Sequence, residues 1–423
     1  MRSETILRYA EYRKRTSAFL LLLLAPIFSL IMAIRNYQYP WAKNLVWLFI
    51  VFYGYTFVFS NKGLDSERYV QSLAYFAKQH ATSFSEFTQL LYSEDTNYVD
   101  ILQPVLTFLV SRFTDDGRIL FACFGLIFGF FYSRNVWFLL SKVDHKVNQE
   151  ARLFLILFIF IVAIWQINGF RFYTAAHIFV YGVFFVIDGK RIRGILFCML
   201  SLFVHFSFLL PLLLLLIYHL VGNRLVLSFV LYLASFFIAQ ISPESLQTYS
   251  DALPKVFQQR SEKYIGDEYL ETRKQLREKG RWFLEGRTTY LIYATNVLLI
   301  LIFIRFYREL RDNYYAASLL TYSLLLLALS NILSQIPSVG DRFQQVSLLI
   351  LYPALFFFMQ KNSKNIFSNW VKVPFIMAML LFIIVEIRIG FQTIGILTVI
   401  GNPLIAPLIK NDVAIIDLIK WFQ

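Results

Sequence analysis

A few ionisable residues stand within or beside long apolar stretches of this sequence. Arg171, His177, His205, Asp341 and Arg342 each lie in or next to a run that is long enough to enter a lipid bilayer. A charged side chain at membrane depth costs about 3 kcal/mol on insertion scales, so such residues usually line a polar cavity. The pattern therefore predicts an integral membrane protein with a polar site.

Arg171 is the strongest candidate for binding an anion. It follows Asn168 and Gly169 at the predicted start of a span, and Asn168 is a further candidate contact at the same turn. The planar guanidinium presents a fork of donors that suits phosphate oxygens, whereas the alternative is an arginine that only extends to the lipid headgroups. His177 lies about 1.7 helical turns later and therefore points to a different face.

Two residues are candidates for a general base. Asp65 follows a turn after the second apolar run, where its carboxylate could accept a proton from a hydroxyl group or simply cap the next helix. Arg68 and Tyr69 lie in the first turn of that helix as candidate substrate contacts. His205 lies between two short apolar runs, and a histidine titrates near neutral pH. The sequence leaves the choice between Asp65 and His205 open.

A second group of polar candidates lies later in the chain. Asp341 and Arg342 begin an apolar run after a predicted turn, where they could pair with other residues or contact a diphosphate. The segment 241–287 carries nine Lys or Arg and eight Asp or Glu residues, so it is nearly neutral. Arg287 could contact the substrate, and a solvated helical lid is the alternative reading of this segment.

The composition indicates a membrane protein and excludes several function classes. Of the residues, 58% are hydrophobic and 16% are charged, against about a quarter charged in soluble domains. The net charge of +13 comes mostly from short loops between apolar runs, which is typical of the positive-inside pattern and not of a nucleic-acid-binding face. Cys123 and Cys198 fall within apolar runs, so we expect neither a disulfide nor a metal site.

The apolar runs predict an all-α polytopic integral membrane protein with about twelve transmembrane helices. We expect one membrane domain over 1–423, with 241–287 as an external loop and no cleaved signal peptide. The predicted runs are 17–34, 45–59, 119–140, 151–167, 170–187, 193–206, 207–220, 225–240, 289–306, 316–336, 343–360 and 374–392.

The loop charges predict which side of the membrane each turn faces. The basic turn 190–193 and the basic residues near 305–311 and 361–364 should be cytoplasmic, which places Arg171, His205 and Arg342 on the outer side. Residues 1–16 are also basic and favour the opposite side for Asp65. We favour Asp65 outside, which requires 84–113 to be interfacial or re-entrant.

Three short motifs resemble elements of the EpsG-like family. Gly63, Asp65 and Tyr69 match its GxDxxxY element. The segment from Asn168 to Arg171, followed by the basic turn and by 203–207, resembles its arginine and "FHxS" stretch. Asp341-Arg342-Phe343 resembles its late Arg-Phe element, and Phe172 departs from the glutamine that the family often has.

The resemblance implies a Wzy-type polysaccharide polymerase of the bacterial cytoplasmic (inner) membrane, with a GT-C-like architecture. Such an exopolysaccharide or O-antigen polymerase would transfer a growing glycan from undecaprenyl diphosphate to a hydroxyl of the next lipid-linked repeat unit at the outer face. Arg171 and Arg342 would bind the diphosphate, with neither cofactor nor metal. Membrane lipids, a chain-length regulator and a flippase are the expected partners, and nucleic acid is not.

Two other classes stay open from the residues alone. A flippase or transporter of lipid-linked sugars would also have many spans with buried charge, but transporters commonly show internal repeats, which this sequence lacks. A membrane O-acyltransferase could use His205. Its acyl donor would have to reach the site from the cytoplasm. A site on the outer face makes this access less natural.

Overall fold

The structure is a computed structural model that describes residues 2–59, 65–79, 84–91, 100–144, 146–238, 282–334, 337–362 and 368–421. These residues are almost entirely helical, and the only β-type pairings among them are two isolated bridges. The helical, polytopic class predicted from the sequence is confirmed.

Eighteen α-helices make up the described part of the chain, and three short 3-10 helices lie between them at 164–169, 206–208 and 406–408. In chain order the α-helices are α1 (Arg2–Leu24), α2 (Pro26–Arg35), α3 (Ala42–Tyr55), α4 (Asp65–Lys78), α5 (Phe84–Leu91), α6 (Leu102–Ser111), α7 (Gly117–Ser141), α8 (Gln149–Ile161), α9 (Phe170–Ile187), α10 (Arg191–Val204), α11 (Leu209–Val221), α12 (Leu225–Ala234), α13 (Trp282–Arg311), α14 (Tyr314–Ile332), α15 (Pro337–Lys361), α16 (Asn369–Gly390), α17 (Ile396–Ile400) and α18 (Ile415–Trp421).

Among the described residues, six helical segments are long and apolar enough to cross a membrane. One of these segments, Gln149–Ile187, is interrupted by the 3-10 helix at 164–169 and contains both α8 and α9. Four further apolar helices have only 10–17 residues, among them Leu225–Ala234, whose 10 residues cover about 15 Å. Several of the predicted spans are therefore shorter in the structure than a bilayer requires.

The chain divides into two compact units. The first contains Met1–Asp144, Ala163–Phe208 and Ile387–Gln423, and the second contains His145–Val162 and Leu209–Glu386. In the second unit, α14 packs along both α12 and α15, and α8 packs on α15. Tyr322 of α14 donates a hydrogen bond to the carbonyl of Pro211, and Asn313 caps the start of the same helix.

Helices α7 and α9 form a parallel pair at the centre of the first unit. Near their starts, the rings of Phe124 and Phe170 stack with centroids 3.9 Å apart. Near their ends, Phe138 and Phe184 stack at 4.4 Å. Helices α3 and α10 run in the opposite direction against α7 and α9, respectively. The end of α3, the starts of α7 and α9 and the end of α10 therefore lie together, which we call the polar end of the unit.

Glycines allow the helices of this unit to pack backbone to backbone. A Cβ atom at Gly54 of α3 would lie 2.2 Å from the carbonyl oxygen of Phe121 in α7. A Cβ atom at Gly194 of α10 would lie 2.6 Å from the carbonyl oxygen of Gly182 in α9. Small residues at helix contacts are typical of membrane proteins, where close packing drives association. The hairpin of α9 and α10 is thereby held in one register.

We expect Gly194→Val to loosen this hairpin. The added side chain meets backbone atoms of α9, which cannot rotate away as a side chain could, and overpacking of this kind costs roughly 1–3 kcal/mol or more. The melting temperature in detergent should fall by several degrees relative to the wild type. Leu196→Val on the exposed face of α10 is the control and should melt near the wild type. Equal melting of both variants would contradict the close packing.

Candidate functional site

An ion pair between Arg171 and Asp100 forms the centre of the polar end. Arg171 lies in the first turn of α9, and its Nη1 is 3.3 Å from Oδ2 of Asp100. The Asp100 side chain is only 2% exposed, whereas that of Arg171 is 31% exposed. One edge of the guanidinium is thus fixed by a buried carboxylate, and about a third of the side chain remains accessible to a ligand.

Asp100 also holds the turn that contains His205. Its second oxygen, Oδ1, accepts a hydrogen bond from the backbone N–H of Phe206 at 2.9 Å. The neighbouring Ile101 N–H donates to the carbonyl of Phe203, also at 2.9 Å. A single buried carboxylate therefore connects Arg171 of α9 to the end of α10.

The turn at His205 lies where the sequence predicts it. Helix α10 ends at Val204, His205 has an extended backbone, and a 3-10 helix follows at Phe206–Phe208. Nδ1 of His205 lies 2.8 Å from the hydroxyl oxygen of Ser207. The imidazole packs edge-on against Phe172, one residue after Arg171, with ring centroids 5.4 Å apart.

The start of α4 is attached to the same end of the unit. The backbone N–H of Ser66 donates to Oδ1 of Asn168 at 3.3 Å, so the turn before Arg171 holds the residue after Asp65. Asp65 pairs with Arg68 at 3.6 Å, and both side chains are partly exposed. This pair is solvent-accessible and contributes little to stability. The residues Asn61–Leu64 of the GxDxxxY element lie outside the described residues.

Tyr69 places a buried hydroxyl beside Arg171. Burial raises the pKa of Tyr69, and this effect outweighs the opposing influence of the Arg171 charge, so the phenol stays protonated at neutral pH. The hydroxyl interacts with the guanidinium of Arg171 both electrostatically and as a hydrogen-bonding neighbour. Tyr69 therefore belongs to the immediate surroundings of Arg171 at the polar end.

Asp100 is the site residue that the sequence analysis did not find. It precedes the apolar stretch 101–113, which resembles an interfacial helix, and its role depends on partners 71 and 106 positions away. The feature of the sequence that marks Asp100 is the carboxylate itself. A buried arginine in a membrane protein needs an anionic partner, and Asp100 is an acidic residue at the edge of an apolar run.

The remaining predicted site residues belong to the second unit. Asp341 is exposed and Arg342 half-buried near the start of α15. Arg287, which the sequence places at the end of the external loop 241–287, lies in the second turn of α13. Its Nε donates to Glu386 at 2.9 Å, with both side chains largely buried. Residues 239–281 lie outside the described part.

The surroundings of His177 and of the two cysteines indicate structural roles for these residues. His177 is buried, and Nδ2 of Asn135 in α7 donates to its backbone carbonyl at 2.8 Å. Its ring packs against Phe128 and Tyr132. Cys123 and Cys198 are both free thiols, as expected.

These features define a multi-pass helical membrane protein with a polar site at one end of a helical unit. The EpsG family matches this chain over residues 43–394, and the chain belongs to that family, as the resemblance predicted. Membership indicates a membrane protein of the polysaccharide-polymerase type, with a glycosyltransferase-like activity in polysaccharide biosynthesis. Comparison with curated proteins gives no match, and comparison with solved structures gives none either.

Proposed function

We propose that this protein polymerises lipid-linked oligosaccharide repeat units at the outer face of the bacterial inner membrane. The donor would be a growing glycan on undecaprenyl diphosphate, and the acceptor a hydroxyl of the next lipid-linked unit. About twelve membrane segments in a GT-C-like arrangement, short helices included, belong to this proposal. The observation that carries it is Arg171, partly exposed and held by a buried carboxylate in a member of the EpsG family.

The chemistry requires a leaving group to be stabilised and a hydroxyl to be activated. The acceptor oxygen forms a bond to the anomeric carbon of the donor sugar, and the bond from that carbon to the diphosphate oxygen breaks. The lipid diphosphate leaves with the electron pair and an added negative charge. Arg171 offers fixed donors for that charge, and preorganised donors of this kind commonly contribute a factor of about 10²–10³ in rate. The step needs no metal.

The acceptor proton passes to Asp65 or to His205, and both assignments belong to the proposal. Asp65 is partly exposed at the start of α4, next to Arg68. His205 is oriented through Nδ1 by Ser207, an arrangement that also serves general bases in enzymes. Tyr69 and Asn168 flank Arg171 and are proposed to contact the substrate, with Arg68 at the rim.

Roles for the second unit complete the proposal. Arg342 would supply a second contact to the diphosphate, and Asp341 and Arg287 would contact the glycan or position neighbouring groups. Arg287 is held by Glu386, so it is the most constrained of the three. A chain-length regulator and a flippase of the same pathway are proposed partners.

The test is a glycan profile from cells that lack the protein, complemented with the wild type or with Arg171→Ala. We expect long polymer to disappear in the deletion strain and in the variant, while single repeat units are still exported and attached. Trapping of lipid-linked units on the inner leaflet would instead identify a flippase. Unchanged polymer that lacks only an acyl group would identify an O-acyltransferase. Either of these outcomes would overturn the proposal.

A further inference from the structure

A basic, aromatic-lined cavity lies at the opposite end of the first unit from Arg171. Its volume is about 440 Å³, and its walls come from the segment before α3, the last turns of α7 and the end of α9. Four cationic side chains and one carboxylate line it, namely Lys43, Arg134, Lys142, Lys190 and Asp188. The loop charges predict this end to be cytoplasmic, because the basic turn 190–193 lies here.

The carboxylate of the cavity is already neutralised, and two of the cations are not. Asp188 pairs with Lys142 and also with Lys190, the latter at 3.1 Å. Lys43 and Arg134 are half-buried, and neither forms an ion pair with a carboxylate of the described residues. A partly buried positive charge without a counter-charge is costly, and an anionic ligand would remove that cost.

Arg134 is held in place for such a ligand. Its Nη2 donates to Oδ1 of Asn44 at 2.8 Å, and its Nη1 donates to Ser133 at 2.9 Å. The guanidinium carbon lies 4.1 Å from the ring centroid of Phe130 and 4.7 Å from that of Trp47. These contacts position the planar group without neutralising it, which suits recognition of a phosphate.

The surroundings favour a phosphate that is attached to a lipid. Tyr181 and Phe185 line the cavity, and both rings pack against Phe197 of α10. The same helix exposes Ile192 and Leu196, with 79% and 60% of their surfaces accessible. Helix α10, which packs against the wall of the cavity, thus exposes apolar side chains against which an acyl chain of the leaflet can lie.

We propose that this cavity binds the phosphate headgroup of an anionic phospholipid from the cytoplasmic leaflet. Lys43 and Arg134 contact the phosphate, the aromatic walls lie at the level of the headgroups, and the acyl chains lie against α10. Basic pockets between membrane helices recognise anionic headgroups in this way. The site is separate from the proposed polymerase chemistry, because Arg134 lies about 25 Å along α7 from the polar end.

The test measures lipid binding by native mass spectrometry on the full-length protein released from nanodiscs. The probes are cardiolipin, phosphatidylethanolamine and inorganic pyrophosphate. Lys43→Gln combined with Arg134→Gln should weaken cardiolipin binding by about tenfold or more, since each basic contact to an anionic surface is worth about 1 kcal/mol. Arg224→Gln combined with Arg305→Gln removes the same charge at exposed positions outside the cavity and should change binding by less than twofold.

Each of the other outcomes overturns the proposal. Equal weakening by both double variants would show that cardiolipin binds through general surface charge. Pyrophosphate binding that depends on Lys43 and Arg134, without cardiolipin binding, would identify a site for a soluble phosphate. If Arg134→Gln does not fold, Lys43→Gln alone decides the question. It should lower cardiolipin binding by about fivefold, and unchanged binding would overturn the proposal.

Discussion

Replacing Arg171 by lysine is expected to lower the rate of polymerisation by about 10²–10³ while the protein stays folded. Lysine keeps the positive charge, but it is a compact cation without the planar fork of arginine. In the structure the guanidinium must contact Asp100 with one edge and still present donors to a ligand. A single ammonium group cannot donate to Asp100 and to the diphosphate in the same geometry. The diphosphate would therefore lose its fixed donors.

The measurement is the initial rate of chain extension by purified protein in proteoliposomes, with lipid-linked repeat units as both donor and acceptor. Arg35→Lys, an exposed position at the end of α2, is the matched control and should keep the wild-type rate. Melting temperatures of both variants should lie near that of the wild type. A folded Arg171→Lys protein that extends chains at the wild-type rate would remove Arg171 from the diphosphate site.

The sequence predicts the part of this site that depends on unusual residue types. Arg171 and His205 can be recognised in the sequence because a charged or titratable side chain beside an apolar run is costly and therefore usually functional. The turn at His205 is likewise visible, since the runs on both sides of it are short. Helix direction then follows from loop charge, which puts Arg171 and His205 at one end of their hairpin.

The contacts that organise the site are not visible in the sequence. The bond from Ser66 to Asn168 joins positions 102 apart, and the pairing of Asp100 with Arg171 spans 71. Nothing local to either residue specifies such a partner, because tertiary packing chooses it. Asp100 is also followed by α6, a helix too short to be read as a span, so the buried position of its side chain has no local signature.

The number of membrane spans is difficult to predict from the sequence for a related reason. Hydropathy records apolar runs, but it does not record where a run breaks into shorter helices. The runs 151–167 and 170–187 contain a 13-residue helix, a 3-10 helix and an 18-residue helix. Arg134 lacks a local sequence signal for the same reason, since it lies inside the apolar run 119–140 and only the folded unit shows its basic neighbours.

Replacing Asp100 by asparagine is expected to lower the polymerisation rate by roughly 10–100-fold, because Asp100 is a positioning residue that acts through Arg171. Asparagine keeps an oxygen that can accept the hydrogen bond from Phe206 N–H, so the turn at His205 should persist. The charge that fixes the guanidinium is lost. Asp100→Leu removes both interactions and leaves the partly buried N–H of Phe206 without its acceptor, which should cost about a further 1 kcal/mol of stability.

A double-mutant cycle separates a positioning role from a merely structural one. The rates of the wild type, Asp100→Asn, Arg171→Met and the double variant are measured, together with the apparent KM for the lipid-linked donor. If Asp100 acts through Arg171, the Asp100→Asn substitution has almost no effect on either quantity once Arg171 is methionine, because the group that it positions is absent. Multiplicative effects of the two substitutions would mean that Asp100 serves the site by another route, such as the turn at His205. That turn, rather than the guanidinium, would then be the element whose geometry limits the reaction.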